Sequence, residues 1–238
     1  MKLIALDASG LPASVAVLSE EQVIAEFTVQ DKLTHSQTLL PMLSHIKELL
    51  ELDLSQIDYI ACAAGPGSFT GLRIGASTAK GLALGLNVPV VPVPTLEALA
   101  YNVFGTPHIV CPIMDARRNQ VYTAFYRWEG ETLVPLCPDR AVAMEQVIEE
   151  ALAFHQPVIF LGDGVPVHAE ALRTHSEFLL APVSASRQRA ACVGAAALVR
   201  IARGQVVPGE EFVPEYLRKS QAEREREAGQ CKIYESNP

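Results

Sequence analysis

An aspartate followed by small polar residues closes the first apolar run of the sequence. Asp7 precedes Ser9 and Gly10, whose hydroxyl and backbone N–H groups can donate hydrogen bonds to a phosphate. The Asp7 carboxylate could orient a metal-bound water. The same residues also suit an Asx turn that closes a hairpin, and the sequence leaves both interpretations open.

A second aspartate, Asp115, closes an apolar run in the other half of the chain and precedes Arg117 and Arg118. A guanidinium group binds phosphate or carboxylate through two parallel hydrogen bonds. A later apolar run ends at Gly162-Asp163, which could approach a nucleotide. Surface turns are the alternative at both places. The candidate nucleotide or phosphate site consists of Asp7, Ser9, Asp115, Arg117, Arg118, Gly162 and Asp163.

The most distinctive run reads GPGSFTGLRIG and covers residues 65–75. It is not a Walker phosphate loop, because Gly71 is followed by leucine and arginine instead of lysine and serine or threonine. Gly71, Gly75 and Ala79 recur every four residues and share one helix face. Glycine costs about 1 kcal/mol in a helix interior. The spacing therefore predicts a close approach, either to the protein's own sheet or, as we favour, to a helix of another subunit.

The composition excludes several classes of protein. The chain has 238 residues, 49% of them hydrophobic, and a net charge of −8. This disfavours disorder and unaided nucleic-acid binding, which usually needs a basic face. No apolar run reaches about 18 residues, and no H-E-x-x-H zinc motif is present. Because the first apolar run is short, we expect no signal peptide. The five cysteines form no C-x-x-C pair. We expect a cytoplasmic protein without a metal site.

The apolar spacing predicts the same order of elements in each half of the chain. In the first half, strands are predicted over 2–6, 14–18, 23–29, 57–64 and 90–93, and helices over 36–52, 70–86 and about 95–104. In the second half, strands are predicted over 108–114, 120–128, 131–134, 158–161 and 178–181, and helices over 143–154, 165–175 and 186–202.

This repeat predicts an α/β fold of two ribonuclease-H-like βββαβα units. The expected lobes cover residues 1–106 and 107–238 and face each other across a cleft. The layout is that of the actin-like ATPase (ASKHA) superfamily, in which the first hairpin of each unit holds nucleotide phosphates. Clefts between lobes are common ligand sites.

Four motifs together resemble the bacterial TsaB (YeaZ) family. They are LDAS at 6–9, GPGSFTGLRIG at 65–75, DARRNQVY at 115–122 and PEYLR at 214–218. The resemblance covers essentially the whole chain. It implies a part in forming N6-threonylcarbamoyladenosine at position 37 of tRNAs, an actin-like fold and a cytoplasmic location.

The resemblance also implies partners: the catalytic paralogue TsaD and the ATPase TsaE, with tRNA bound only through the complex. TsaD holds a metal through an H-x-x-x-H motif, and the matching positions here are Thr95 and Leu99, with Glu97 between them. A threonine hydroxyl binds metals poorly and leucine does not bind them. We therefore expect no metal and no catalytic activity from this chain alone.

Members of this family use the two helices of the first half as their interface, with TsaD or with a second copy as a homodimer. In the chain these are the helices predicted over 36–52 and 70–86, and the first places Leu39, Leu43, Ile46 and Leu50 on one face. The predicted interface residues are Leu39, Leu43, Ile46, Gly71, Gly75 and Ala79. The charged segment 218–227 is either a solvated helix or a docking segment.

Two enzymatic alternatives remain at this point. One is an ATP-dependent phosphotransferase or ATPase that would use Asp7 and Asp115 in the cleft; ATP or ADP with magnesium could bind there or at a subunit interface, although no tightly bound cofactor is expected. The other is a peptidase. Ser9, Ser68 and His35 are available for it, but no G-x-S-x-G motif is present.

Overall fold

The first of two mixed sheets is built from the first 94 residues. In a computed structural model, which describes residues 1–31 and 34–218, five strands take the order β3-β2-β1-β4-β5. They are β1 (Lys2–Asp7), β2 (Ala13–Ser19), β3 (Val23–Val29), β4 (Tyr59–Gly65) and β5 (Val90–Pro94). β1, β2 and β3 form an antiparallel meander, and β4 and β5 run parallel to β1.

Two helices, α1 (His35–Leu49) and α2 (Phe69–Leu86), lie side by side on one face of this sheet. Alternate residues of β1, such as Ile4 and Leu6, point into the core beneath them. The Ser68 hydroxyl accepts a hydrogen bond from the Gly71 N–H and begins α2. Asn87 ends the helix in the left-handed conformation, with φ of 55°.

The second sheet repeats the order of the first. Its main path is β10-β7-β6-β11-β12, and the hairpin β8–β9 is attached to β6. The strands are β6 (Ile109–Asp115), β7 (Gln120–Thr123), β8 (Tyr126–Glu129), β9 (Thr132–Pro135), β10 (Arg140–Ala143), β11 (Val158–Leu161) and β12 (Phe178–Leu180). The remaining helices are α3 (Thr95–Ala100), α4 (Met144–Leu152), α5 (Val165–Arg173) and α6 (Ala190–Ala202).

The continuous strand predicted over 120–128 is wrong, because it divides into β7 and β8. Ala124 and Phe125 lie between the two and are both buried, but they pack into different core clusters. The predicted strand at 131–134 forms β9, which pairs with β8 at the edge of the sheet. The edge strand that pairs antiparallel with β7 is instead β10, which the sequence pattern did not predict.

Helices from both halves pack between the two sheets. α6 comes late in the chain, yet it covers the open face of the first sheet. α3 contributes Ala98 to that core and Leu96 and Leu99 to the core of the second sheet. The predicted α/β architecture of two sheets is confirmed. The division at residue 106 stays a prediction, and it falls just after a short 3₁₀ turn, Tyr101–Val103.

No helix within residues 1–31 and 34–218 is long and apolar enough to cross a membrane. Apart from Arg218, the predicted charged segment 218–227 lies outside the described residues.

Candidate functional site

A cleft of about 830 Å³ lies where the ends of β1 and β6 meet. The first hairpin turn (residues 8–12) contributes Ser9 and Gly10 to its walls. The second hairpin turn, with Asp115 at its start and residues 116–119 after it, contributes Asp115 and Arg117. Asp163 also lines it. The structure therefore brings together residues that are far apart in the sequence and that the sequence had grouped as one candidate site.

Asp7 is buried beneath this cleft, with 1% of its surface exposed. Its Oδ1 accepts hydrogen bonds from the Ser9 N–H at 2.8 Å and the Ser9 hydroxyl at 2.6 Å, which forms an Asx turn. Burial raises the pKa of Asp7 to about 6, although the Ser9 hydrogen bonds and His35 oppose the rise. Ser9 donates to a carboxylate and not to an imidazole, so the peptidase interpretation has no nucleophile–base pair at this serine.

The second hairpin turn repeats this arrangement. Asp115 Oδ1 accepts a hydrogen bond from the Arg117 N–H at 2.8 Å, and the Arg117 guanidinium lies 3.4 Å from the same carboxylate. Arg117, Arg118 and Asn119 all have positive φ values, of 65°, 56° and 56°. The turn leaves 85% of the Arg117 side chain exposed. Arg117 lines the cleft and Arg118 does not.

Asp163 ties the second hairpin to β11. Its Oδ1 accepts a hydrogen bond from the Asp115 N–H at 3.1 Å, and burial raises its pKa. A Cβ atom on Gly162 would lie 2.2 Å from the carbonyl oxygen of Ile113, so close strand packing explains this glycine. Among the described residues, no group of three or more His, Cys, Asp or Glu side chains is arranged to hold a metal ion.

The GPGSFTG run packs directly on the first hairpin. The Ser68 N–H donates to the Ser9 carbonyl at 2.7 Å. A Cβ atom on Gly71 would lie 2.0 Å from the carbonyl oxygen of Ala8, a distance that no side chain could tolerate. His35 Nε2, at the start of α1, lies 2.9 Å from the Gly10 carbonyl oxygen. The run therefore fixes both helices to the hairpin that lines the cleft.

The six predicted interface residues all lie on the inner faces of α1 and α2. Leu39, Leu43, Ile46, Gly71, Gly75 and Ala79 are all buried. They form the inner faces of α1 and α2, which pack on the chain's own sheet, as expected for the apolar stripe of an amphipathic helix. Gly71 serves the close approach of α2 to the first hairpin, and contact of these six residues with a partner stays a prediction.

The opposite face of α2 is exposed. Arg73, Ser77, Gly81, Leu84 and Gly85 recur at helical spacing and define what we call the outer face of α2. Leu84 is 82% exposed, and among residues 1–31 and 34–218 no atom outside the neighbouring helix backbone lies within 4 Å of where a Cβ on Gly81 or Gly85 would be. Sequence reasoning missed this face, although the repeat of small residues at 77, 81 and 85 was a signal for it.

The outer face of α1 carries a matching apolar residue. Leu40 is 52% exposed and lies beside the exposed Ser44. Because α1 and α2 lie side by side, the two outer faces form one surface on the side of the helices away from the sheet.

The positions that match the TsaD metal motif lie in the core of this chain. Thr95 and Leu99 are fully buried, and Leu99 packs in the apolar cluster beneath the second sheet. Glu97 Oε2 accepts a hydrogen bond from Arg200 Nη1 at 2.9 Å. Burial raises the pKa of Glu97, and Arg200 and Arg203 oppose the rise. The side chains of Thr95 and Leu99 offer no atom that binds a metal well, and the Glu97 carboxylate is paired with Arg200. The three residues therefore do not fit a metal site.

Comparison with known proteins identifies the family. The family model described as TsaD: tRNA N6-adenosine threonylcarbamoyltransferase matches residues 22–226. The chain is 35% identical over 170 residues to the tRNA threonylcarbamoyladenosine biosynthesis protein TsaB of Bacillus subtilis (strain 168), and the match covers 71% of this chain and 74% of that protein. The chain belongs to the TsaB family.

Two further TsaB-family comparisons agree. The chain is 41% identical over 160 residues to TsaB of Haemophilus influenzae, covering 60% of this chain and 66% of that protein. A Pseudomonas aeruginosa crystal structure, described as an uncharacterized protein with similarity to peptidase YeaZ, matches with a TM-score of 0.80 at 30% identity. That match covers 91% of this chain and 99% of the other. The TsaB (YeaZ) resemblance predicted from the four motifs is confirmed.

Proposed function

We propose that this chain is a non-catalytic subunit in the formation of N6-threonylcarbamoyladenosine in tRNA, and that it docks on and activates the catalytic paralogue TsaD. The names of the TsaB relatives support the role in tRNA threonylcarbamoyladenosine biosynthesis. The observation that carries the non-catalytic assignment is the burial of Thr95 and Leu99, together with the bond between Glu97 and Arg200. Positions 95, 97 and 99 therefore offer no ligands for the metal that such a transferase centre needs.

The surface that best suits docking is the outer face of α2 with the neighbouring outer face of α1. Leu84 and Leu40 supply exposed apolar area, which releases water when a partner covers it. Ser77, Gly81 and Gly85 have small side chains or none, so ridges of partner side chains could approach the helix closely at these positions. TsaD is the proposed occupant. A second copy would occupy the same surface when TsaD is absent, TsaE would join the TsaD complex, and tRNA would bind only through that complex.

A reconstituted tRNA modification reaction tests this proposal. TsaD and TsaE are supplied with substrates and unmodified tRNA, with and without this chain. The chain alone should modify no tRNA, and omitting it should abolish modification by the others. The variant Leu84→Asp should reduce modification, whereas Val183→Asp, at a 97% exposed residue of the second half, should not. Modification by the chain alone, or full modification without it, would contradict the proposal.

A second candidate function is the binding of ATP or ADP with magnesium in the cleft. The cleft's size and its position between the two first hairpins favour it. Arg117 would face the phosphates, and a divalent cation would be needed to offset the carboxylates of Asp115 and Asp163. Calorimetry with ATP and magnesium tests this. Saturable binding that Arg117→Ala weakens by about tenfold to a hundredfold would support this function, since a charge-assisted hydrogen bond is worth about 1.5–3 kcal/mol. Binding that Arg117→Ala leaves unchanged would contradict a role of Arg117 in holding the phosphates.

A further inference from the structure

Residues 212–218, here called the strap, run from the core of the first sheet to the second hairpin, and residues 215–218 line the cleft. Phe212 is buried in the core of the first sheet and anchors one end. The Glu215 N–H then donates to the carbonyl oxygen of Ala64, at the end of β4, at 2.7 Å. The strap is thus fixed to the first sheet beside the loop that begins α2.

The other end of the strap is bonded to the second hairpin. Arg218 Nη1 donates to the carbonyl oxygen of Ala116 at 2.5 Å. Between its two anchors, the strap residues Glu215, Tyr216 and Leu217 line the cleft. Because Ala64 lies in β4 of the first sheet and Ala116 lies in the second hairpin turn, these two hydrogen bonds together connect the two sides of the cleft.

The middle of the strap is stacked on the start of α2. The Tyr216 ring lies 4.7 Å from the Phe69 ring, centroid to centroid. The guanidinium carbon of Arg73 lies 4.1 Å from the centroid of the same Phe69 ring. Arg73 belongs to the outer face of α2. A continuous stack of three side chains therefore joins the proposed docking surface to the strap.

We propose that the strap is a latch across the cleft, and that a protein docked on the outer face of α2 tightens it through Arg73, Phe69 and Tyr216. The physical reason is that a cation–π contact becomes stronger when water is removed from the cation. A partner that covers Arg73 would press the guanidinium onto Phe69 and so stabilise the stack with Tyr216. The coupling rests on the proposed docking of TsaD; the latch in the isolated chain does not.

Amide hydrogen exchange of the isolated full-length chain tests the latch. Removing the arginine–carbonyl bond with Arg218→Ala should speed exchange about tenfold in the strap and in residues 115–121, because exchange follows the local opening equilibrium. Exchange in β1 and β4 should not change, which shows that the variant is folded. Arg173→Ala, at an exposed arginine at the end of α5, is the matched control and should change nothing. Unchanged exchange in the strap of Arg218→Ala would overturn the latch.

The same measurement on the complex tests the coupling. Addition of TsaD should slow exchange in the strap about fivefold. Arg73→Ala should lose this slowing while TsaD remains bound at saturating concentration. Equal slowing in Arg73→Ala, or no slowing in the unmodified chain, would overturn the coupling. Failure of TsaD to bind, or binding that Leu84→Asp leaves unchanged, would overturn the proposed docking itself and the coupling with it, but not the latch.

Discussion

Gly71 lies so close to Ala8 that a Cβ atom at position 71 would be 2.0 Å from the Ala8 carbonyl oxygen. Helix α2 therefore rests on the backbone of the first hairpin, next to the Asx turn of Asp7 and Ser9. In the sequence, the glycine-rich run looks like a phosphate loop or a partner-binding face. In the structure, it joins the hairpin that lines the cleft to the helices that would dock a partner.

The contrast between Gly71 and Gly81 gives a direct test of this joint. Gly71→Ala should destabilise the protein by about 3 kcal/mol or more, because the backbone of the hairpin would have to move. Gly81→Ala should stabilise it by about 0.5–1 kcal/mol, because the site is open and alanine favours the helix. Urea unfolding monitored by circular dichroism measures both. Similar losses for the two variants would contradict the assignment of inner and outer faces.

The order of elements in the first sheet could be predicted from the sequence, because alternating strands and a 3.6-residue helix period each leave a clear pattern. The faces of the helices could not be assigned in the same way. The spacing of Leu39, Leu43 and Ile46 indicates a buried face, but a period does not say whether the chain's own sheet or another subunit covers it.

The second half was harder to predict for a related reason. The four residues from Thr123 to Tyr126 are all buried, so no alternation marks the break between β7 and β8. The sequence allowed Ser9, Asp115 and Arg117 to be grouped because both first strands end in Asp-Ala, and these three residues line one cleft. The strap contacts of Tyr216 and Arg218 are long-range and leave no local signal.

The burial of Asp7 predicts a particular pH dependence of stability. Its pKa is about 6 in the folded protein and near 3.9 in the unfolded chain, so folding favours the protonated form. The contribution of Asp7 to the free energy of unfolding is therefore fully present below about pH 4 and is lost as the pH rises through about 6. Asp7→Asn keeps an oxygen for the Ser9 hydrogen bonds and does not titrate. It should be about 2–3 kcal/mol more stable than the unmodified protein at pH 7, with little difference near pH 4.

Urea midpoints measured at intervals between pH 4 and pH 8 check this prediction. Glu131→Gln, in the exposed turn between β8 and β9, serves as the control and should leave the profile unchanged. A stability difference between Asp7→Asn and the unmodified protein that stays constant over this range would mean that Asp7 does not titrate in it.

The ion pair between Glu97 and Arg200 should contribute to stability and not to catalysis. Each side chain is about one-fifth exposed, so Arg200→Met would leave a largely buried carboxylate without a partner. We expect a loss of about 2–3 kcal/mol, and the double variant with Glu97→Gln should recover most of it. Thermal unfolding of both variants and of Arg200→Lys, which keeps the charge, measures the effect. An equal loss in the double variant would show that packing, not the unpaired charge, is responsible.

The role of the outer face of α2 is tested most directly by the affinity of this chain for TsaD, measured by calorimetry with Leu84→Asp and Val183→Asp. Both substitutions place a carboxylate on an exposed apolar residue, at 82% and 97% exposure, so neither should affect folding. If α2 is the docking helix, Leu84→Asp should weaken binding at least about thirtyfold, as expected for an unpaired charge buried in an interface. Val183→Asp should bind as the unmodified chain does. Equal affinities for the two variants would contradict the account.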